Sequence, residues 1–278
     1  MNEFEIKAST KIRAAAAAGR FYPRDPVELR QLVEGLLTDV SPATGPVPKA
    51  LIAPHAGYLY SGPIAASAYA HLKPARDVIK RIVLIGPSHF VAFAGLATSS
   101  AEAFATPLGL VRLDAEAIRK LIRLPQVTVL DLAHTHEHAL EVHLPFLQTV
   151  LADFTLVPLV VGEALAEQVS EVLDALWDGP ETRFIISSDL SHYLDSDAAR
   201  QMDRLTAQAV EGLHPEEIGD DQACGRIPVR GLLQAARGHS LRARTVDLRN
   251  SGDTSGPRRQ VVGYGAFVFE EAEAQPNP

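Results

Sequence analysis

Short apolar runs bounded by turn residues alternate with longer amphipathic segments along most of this chain. Residues 50–53, 82–85 and 184–186 are three such runs, and all are rich in aliphatic side chains. Runs of this length and composition indicate buried strands, and buried strands that alternate with helices are typical of a parallel sheet. The pattern therefore predicts an α/β protein with a mostly parallel or mixed central sheet and helices on both of its faces.

The other elements follow from the same pattern. Asp25 and Pro26 are typical of a helix start, and the apolar positions after them give that helix one buried face. Residues 90–108 show no clear period and predict an irregular loop, and Pro145 should kink or divide a helix over 137–151. We also expect helices over 63–72, 114–123, 163–177, 196–211 and from about 224 onward, and strands over 127–131, 155–161, 183–188, 241–249 and 260–269.

The composition of the whole chain limits its class and its partners. With 278 residues, a formal net charge of −8 and no basic stripe, we expect no nucleic-acid partner. We expect a single domain over 1–278, with an ordered core over about 12–270 and flexible tails. The first residues lack a signal-peptide pattern, and no apolar stretch reaches the roughly 18–20 residues that span a bilayer. The single cysteine, Cys224, excludes an intrachain disulfide, so we expect a cytoplasmic protein without a membrane partner.

Each of the three apolar runs leads into a segment that contains a histidine. His55 follows the first run, His89 follows the second, and His192 follows the third. Because the carboxyl ends of parallel strands lie at one edge of the sheet, where ligands bind, these imidazoles should meet in one cleft. Converging imidazoles indicate a metal site or an acid-base site.

Two further side chains belong to the same prediction. Cys224 stands beside Arg226 at a predicted helix start, so we expect a depressed thiol pKa and a role as metal ligand or nucleophile. Asp189 lies three residues before His192, and its carboxylate would ligate a metal, orient His192 or cap the next helix. An inert buried cysteine and a purely capping aspartate are the alternatives.

The densest group of imidazoles lies within residues 134–143. It resembles a zinc-protease helix, but Leu140 and Val142 stand where the H-E-x-x-H motif and its inverted form require histidine. Helical spacing would place Glu137 with Glu141, and His138 with Glu141, on one side of this segment. We interpret it as an element that supports the site and faces the substrate, the alternative being a solvated polar helix face.

Six short motifs, read in chain order, together resemble the Memo family. They are AGRFYP at 18–23, APHAGY at 53–58, GPSH at 86–89, EHALEVHLP at 137–145, SSDLSH at 187–192 and CGR at 224–226. The resemblance covers about residues 14–270, and its specificity comes from the combination of the motifs. In prokaryotes this family includes protein B of the AmmeMemoRadiSam system.

The resemblance implies a fold and a metal. The family is similar in fold to class III extradiol ring-cleavage dioxygenases, which use non-haem Fe(II). Carried over by resemblance, the metal ligands are His55, His89 and Cys224. Fe(II) is the expected ion, and copper or zinc are alternatives because a thiolate is a softer ligand than the carboxylate of the dioxygenases.

Around this metal we expect two groups of functional residues. The resemblance implies that Asp189 and His192 border the pocket, with His138 near them, and we expect these three to be catalytic, with His192 as the acid-base group. The side chains that we expect to contact substrate are Tyr58, Glu141, His143 and Arg226.

Three functions are compatible with the sequence. The first is a mononuclear Fe(II)-dependent oxidoreductase of the dioxygenase type that takes a small molecule or a peptide in its cleft. The second is a metal-independent cysteine hydrolase, with Cys224 as nucleophile and His55 or His192 as base. The third is a non-catalytic module that uses the cleft to bind a peptide or a protein partner, because a fold alone does not decide between such functions.

Overall fold

The computed structural model of the chain describes residues 11–271. Within this range a nine-stranded sheet and a three-stranded sheet combine with helices into a mixed α/β fold, as the sequence pattern predicts. The flexible tails expected from the sequence lie almost entirely outside the described residues.

The bounds of the elements are as follows. The strands are β1 (Ile12–Arg13), β2 (Ala50–Ala53), β3 (Arg81–Pro87), β4 (Leu96–Thr98), β5 (Ala103–Thr106), β6 (Gly109–Arg112), β7 (Val127–Val129), β8 (Thr155–Val161), β9 (Thr182–Ser187), β10 (His192–Leu194), β11 (Leu241–Asn250) and β12 (Val261–Glu271). The helices are α1 (Pro26–Thr38), α2 (Tyr58–Tyr69), α3 (Ala115–Leu121), α4 (Asp131–Thr135), α5 (Leu144–Val150), α6 (Ala166–Ala175), α7 (Ser196–Glu211), α8 (Arg226–Gly238) and α9 (Ser251–Thr254). Short 3-10 turns span Ala70–Ala75, Glu141–His143 and Pro215–Glu217.

The large sheet has a parallel centre and antiparallel flanks. Its strand order is β10-β12-β2-β9-β3-β8-β4-β7, and β11 also pairs with β12. The neighbours β2, β9, β3 and β8 are parallel, whereas β12 runs antiparallel to β2, and β4 runs antiparallel to β8. Ala53 of β2 is level with Ser187 of β9, and Ile85 of β3 is level with Ile186. The strands that precede the candidate site residues therefore end at one edge of the sheet.

Helices cover the sheet with their apolar faces. In α1 the predicted face buries Leu29, Val33 and Leu37, and the Asp25 side chain caps the helix by accepting the Val27 and Glu28 amides. Helix α2 packs on β2, β11 and β12, while α8 packs on α6, β3 and β9. Among residues 11–271 no helix combines the length and the apolar character needed to cross a bilayer.

Helix α2 begins earlier than the helix predicted over 63–72. Pro63 consequently lies inside α2. Its nitrogen carries no hydrogen, so it cannot donate to the Leu59 carbonyl four residues earlier. The Ser255 hydroxyl donates to that carbonyl at 3.1 Å, so the oxygen keeps a partner. A distant side chain thus accommodates the proline, which is why the local pattern misplaced the helix start.

The secondary-structure prediction is wrong for two other segments. Residues 90–108 are not an irregular loop, because β4 and β5 lie within them; strands of three and four residues are too short to show a period.

The helix predicted over 137–151 is wrong in its first half, since residues 137–140 are not helical. Helix α5 begins only at Leu144, with Pro145 in its first turn, where the missing N–H of proline has no partner to lose. His138 therefore lies on an irregular segment rather than on a helix face.

A buried carboxylate fastens the N-terminal segment to the segment that precedes α5. Glu141 is completely buried and forms an ion pair with Arg13. Its oxygens also accept the amides of Ala16 at 2.7 Å and Ala17 at 2.8 Å and the Tyr22 hydroxyl at 2.5 Å. Removing the Glu141 carboxylate would leave the buried Arg13 guanidinium without its counter-ion and the other donors without their acceptor.

We expect Glu141→Gln to lower the free energy of unfolding by about 3–5 kcal/mol, because Arg13 would keep a buried charge without a counter-ion. Urea denaturation followed by circular dichroism measures the effect. The control is Glu34→Gln, on the exposed face of α1, which should change the free energy by less than about 0.5 kcal/mol. Equal effects of the two substitutions would contradict this role of Glu141.

Candidate metal centre

The carboxyl edge of the parallel strands carries the first residues of the site. His55, His89 and Asp189 each lie two residues beyond the end of their strand, β2, β3 and β9 respectively. The rings of His55 and His89 approach edge-on, with centroids 5.1 Å apart. The parallel sheet thus brings together side chains that are far apart in the sequence.

A third imidazole completes the group. The His138 ring stacks on His89 at 4.6 Å between centroids and meets His55 edge-on at 5.5 Å. One potential ligand atom from each of these three histidines lies within 4.8 Å of the other two. We call these residues the histidine trio. Its third member is His138, whereas the sequence predicted Cys224 as the third ligand.

Hydrogen bonds fix the orientation of His55. Its Nδ1 lies 2.6 Å from the Ser187 hydroxyl, and that hydroxyl donates its one proton to the Ala139 carbonyl at 2.6 Å. Ser187 must therefore accept at its other contact, so Nδ1 carries the proton and Nε2 keeps its lone pair. Burial, followed by the nearby charges of His89 and His138, holds the pKa of His55 well below its usual range. The result is a neutral imidazole whose Nε2 lone pair faces the Cys224 thiol and is available to a metal.

A buried carboxylate fixes His89 in the same way. Glu137 accepts the backbone amide of His89 at 2.7 Å and faces its Nδ1 at 2.8 Å. Burial alone would raise the pKa of Glu137, but the hydrogen bonds and charge of His89 and the amide of Ala139 outweigh it and lower that pKa to about 2. An ionised carboxylate on Nδ1 leaves Nε2 of His89 available to a metal, an arrangement that is common around metal-ligating histidines.

His138 has no comparable anchor. The Phe21 ring stacks on it with centroids 4.3 Å apart. Its buried Nδ1 lies 3.4 Å from Glu137 Oε1 but has no hydrogen-bond partner among the described residues. Burial and then the charge of His89 lower its pKa, so this imidazole is also neutral. A buried polar atom without a partner is unusual and suits a donor that a ligand completes.

Cys224 lies against His55 rather than inside the trio. Its Sγ is 3.3 Å from His55 Nε2, and the Asp189 amide approaches the sulfur at 3.3 Å. The expected depressed pKa is wrong: burial and then the Asp189 carboxylate raise the pKa of this thiol to about 12. Helix α8 starts only at Arg226, two residues after the cysteine. The Arg226 guanidinium forms an ion pair with the Asp220 carboxylate at 2.9 Å.

Asp189 and His192 lie at this edge, but no hydrogen bond joins them among the described residues. Asp189 instead accepts the His55 amide at 2.8 Å, and burial raises the pKa of its carboxyl. His192 is half-buried at the start of β10, where the pairing with β12 is irregular. The next residue, Tyr193, is exposed and has a φ of 60°, a strained value for a bulky side chain.

Of the four residues expected to contact substrate, three are part of the interior. Tyr58 donates to the Val142 carbonyl at 2.5 Å, and His143 Nδ1 lies 2.7 Å from the Tyr69 hydroxyl. Together with Glu141, these side chains are buried, and each has a hydrogen-bond partner within the fold, although the buried Nε2 of His143 has none among the described residues. They position the segment that carries His138 and do not face a cleft.

Arg226, the fourth, lies on the wall of two cavities. One cavity of about 240 Å³ has Phe93 and Ile227 as well as Glu163 on its wall, and the other, of about 350 Å³, is lined by His192 and two aspartates. Cys224 and Arg226 line both cavities. Space for a small ligand therefore exists on both sides of the thiol.

The donor set fits a first-row transition metal. Three imidazoles, with a thiol beside one of them, are ligands that suit zinc, copper and iron, whereas magnesium and calcium require oxygen. Two of the imidazoles have their second nitrogen fixed by Ser187 and Glu137. The residues present are thus compatible with the metal expected from the sequence.

The fold and the site define a class, an α/β protein with imidazoles gathered at the carboxyl edge of a parallel sheet. The family model described as Memo-like protein matches residues 13–268. MEMO1 family proteins from Aquifex aeolicus and Ignicoccus hospitalis are each 35% identical to this chain, over 93% of its length and 99% and 98% of theirs. The MEMO1 family protein MTH_45 from Methanothermobacter thermautotrophicus is 36% identical over 91% of this chain. The chain belongs to the Memo family.

A solved structure shares the fold. The crystal structure of uncharacterized protein JW3007 from Escherichia coli K12 matches with a TM-score of 0.52 and 13% sequence identity, over 79% of this chain and 98% of that chain. At this identity the similarity concerns the α/β fold alone.

Sequence reasoning missed two residues that hold the site. It did not single out Ser187 or Glu137, which fix the two strand-end histidines, and it gave His138 a catalytic role only. A signal was present for Glu137, because a carboxylate next to several histidines is a common partner of ligating imidazoles. The assumption of a continuous helix hid it, since helical spacing pairs Glu137 with Glu141 and gives no reason to place it against His89.

The buried His134 should make stability depend on pH. Burial lowers the pKa of His134 from 6.5 to about 4. The unfolded chain therefore binds a proton at this histidine below pH 6.5, whereas the folded chain binds it only below about pH 4. Stability is therefore lost as pH falls through this range, by at most about 1.4 kcal/mol per pH unit.

We expect His134→Gln, which keeps a donor for the Ala97 carbonyl, to flatten the decline of unfolding free energy between pH 6.5 and pH 4. Urea unfolding at several pH values measures the slope. His136→Gln, on the exposed neighbouring histidine, is the control and should keep the wild-type slope. An unchanged slope in His134→Gln would show that His134 does not contribute.

Proposed function

We propose that this Memo-family protein binds one transition-metal ion between His55 and His89 and acts as a non-haem metal-dependent oxidoreductase. The observation that supports the proposal is the histidine trio, whose ligand atoms lie within 4.8 Å of one another. Fe(II) is the expected ion, with copper or zinc as alternatives, because imidazole ligands suit all three. Cys224 beside His55 is available as a further ligand.

The protein's own residues divide the remaining tasks. A metal held by three protein donors supplies open coordination positions for oxygen and an organic substrate. His192, on the wall of the 350 Å³ cavity, is the acid-base group of the proposal. Ser187 and Glu137 hold the ligand imidazoles, and Asp189 holds the backbone of His55.

The size of the cavities favours a small ligand. Volumes of about 240 and 350 Å³ lie at or below the lower end of the range for small-molecule pockets. The exposed Phe90 and Tyr193 beside His89 and His192 would add apolar surface for a peptide side chain. A peptide or protein partner that inserts one residue is therefore the alternative to a free small molecule.

A cysteine hydrolase is the second candidate, and one contact favours it. Cys224 Sγ lies 3.3 Å from His55 Nε2, which is close enough for the imidazole to take the thiol proton. Two features disfavour it. Burial and then the Asp189 carboxylate raise the thiol pKa to about 12, and burial lowers the pKa of His55, so both charged forms of the pair are destabilised.

Metal analysis tests the first candidate. Protein prepared without oxygen, loaded with Fe(II) and desalted should retain about one iron per chain, and both His55→Asn and His89→Asn should lower the affinity by well over tenfold, since each removes a direct ligand. His214→Asn, at an exposed site, is the control. Iron absent from the wild-type protein, or retained equally by all variants, would refute the proposed centre.

Alkylation of the metal-free protein by iodoacetamide tests the second candidate. We expect Cys224 to react more slowly at pH 7 than N-acetylcysteine does, and to accelerate toward high pH, because its thiol pKa is raised to about 12. His55→Asn should leave the rate at pH 7 no lower. Fast alkylation at neutral pH that disappears in His55→Asn would instead favour the hydrolase.

A further inference from the structure

A third cavity has a wall that shares no residue with the candidate metal centre. Its volume of about 700 Å³ exceeds that of the two cavities beside Cys224 and lies within the range for small-molecule pockets. The wall is formed by the end of α1 with the loop after it, by α2 with the 3-10 turn that follows, and by β11. The protein therefore has room for a second ligand, on a different part of the fold.

A β-bulge in β11 turns three charged side chains toward this cavity. Between Thr245 and Asp247, β11 has one residue more than the stretch of β12 that it faces. Because side chains alternate along a strand, Arg244 and Asp247 would lie on opposite faces of a regular strand. With the bulge, Arg244, Asp247 and Arg249 share one face, and all three line the cavity. Bulges often redirect a side chain in this way beside a functional site.

Each of these arginines pairs with a carboxylate that is less exposed than the guanidinium. Arg249 donates to the two oxygens of Asp247 at 2.9 and 2.5 Å, and Arg244 Nη2 donates to Glu270 at 2.9 Å. The arginine side chains are 36% and 40% exposed, whereas the two carboxylates are 14% and 15% exposed. The positive end of each ion pair is therefore the end that a ligand in the cavity meets first.

The ion pairs leave N–H donors without a partner. No hydrogen bond within residues 11–271 engages Nε or Nη1 of Arg244, or Nη1 of Arg249. A guanidinium carries its N–H donors in a planar fork that matches the oxygens of a carboxylate or a phosphate. An anion can consequently bind both arginines without breaking either ion pair.

A buried histidine adds a further donor to the wall. His71 is 7% exposed, lines the cavity and has no hydrogen-bond partner among the described residues, which is unusual for a buried polar group. Burial, followed by the charge of Arg244, lowers its pKa, so the ring is neutral at pH 7 and has one N–H donor. A ligand oxygen beside Arg244 would supply the missing partner.

The rest of the wall suits an uncharged part of the ligand. Leu36, Pro42 and Val246 contribute aliphatic surface. Asp39 also lines the cavity and has no ion-pair partner within residues 11–271, but it is exposed at the end of α1, where water and salt screen its charge. The wall thus combines donors for an oxyanion with surface for an apolar body.

We propose that the cavity between α1, α2 and β11 binds a small organic oxyanion, a carboxylate or a phosphate ester, through Arg244, Arg249 and His71. The inference is independent of the proposed metal function, because the two sites share no residue. It gives the protein a second ligand site that recognises its occupant by negative charge.

Three small probes and four variants test the site. Benzoate and phenyl phosphate carry the two kinds of oxyanion on the same ring, and benzamide is the uncharged counterpart of benzoate. Isothermal titration calorimetry of the full-length protein measures their binding to the wild type, Arg244→Gln and Arg249→Gln. Arg242→Gln is a matched control on an exposed arginine of the same strand, and Arg226→Gln tests the cavities beside Cys224. Thermal unfolding establishes that each variant folds.

Binding should depend on the charge of the probe and on the two cavity arginines. At least one anion should bind with a Kd below about 1 mM and at least about tenfold more tightly than benzamide, since charge-assisted hydrogen bonds are the stronger ones. Arg244→Gln and Arg249→Gln should each weaken that binding by at least about tenfold. Arg242→Gln and Arg226→Gln should change it by less than about twofold. The anion that binds more tightly identifies the site as one for carboxylates or for phosphates.

A crystal structure of the wild type with 4-bromobenzoate is a check that needs no variant. Anomalous scattering from bromine in the cavity lined by Arg244 and His71, together with binding in solution, supports the inference. Bromine there without binding in solution would mean binding at crystal concentration only and would overturn it.

Three results of the calorimetry would also overturn the inference. The first is equal binding of benzamide and benzoate, and the second is no binding of either anion at about 10 mM. The third is a loss of binding in Arg226→Gln but not in Arg244→Gln, which would place the anion beside Cys224. None of these results bears on whether His55 and His89 bind a metal.

Discussion

The candidate metal centre depends on how residues 137–143 are held across the carboxyl ends of β2, β9 and β3. Ser187 binds the Ala139 carbonyl, Tyr58 binds the Val142 carbonyl, and the Glu137 side chain accepts the amide of His89. Because the acceptors of these bonds are buried, an unmade hydrogen bond here would cost the desolvation penalty of its acceptor, which holds the segment in place. That position brings His138 to the two strand-end histidines.

Much of this arrangement follows from the sequence, and the parts that do not have physical reasons. The aliphatic runs before His55 and His89 predict parallel strands, and parallel strands share one edge, so this pair could be placed without coordinates. The place of His138 could not, because residues 137–140 are shaped by contacts with distant strands and not by local periodicity. The Cys224 pKa was mispredicted for a similar reason, since burial and Asp189 outweigh a helix terminus that begins two residues later.

The buried carboxyl groups around the site differ in the direction of their pKa shift, and their hydrogen-bond partners account for the difference. Glu137 faces an imidazole N–H and two amides, and its pKa falls to about 2. Asp189 and Asp203 each accept a backbone amide, but among residues 11–271 no imidazole N–H donates to either carboxylate, and burial raises the pKa of each. The ionised Glu137 therefore places a fixed negative charge on Nδ1 of His89, where it favours a cation on the other side of the ring.

The same burial that lowers the pKa of His55 and His138 has opposite consequences for the empty and the metal-bound protein. In the empty protein it disfavours the protonated imidazoles, so the fold loses stability as the unfolded chain takes up protons below its ordinary histidine pKa. For a metal ion it is an advantage, because an imidazole that stays neutral keeps a lone pair and no proton must be displaced. An ion that binds only the folded state then adds stability in proportion to the logarithm of its concentration over its dissociation constant. Clustering buried neutral imidazoles such as His55 and His138 in front of an ionised Glu137 is therefore a costly arrangement for a purely structural core and a favourable one for a metal site.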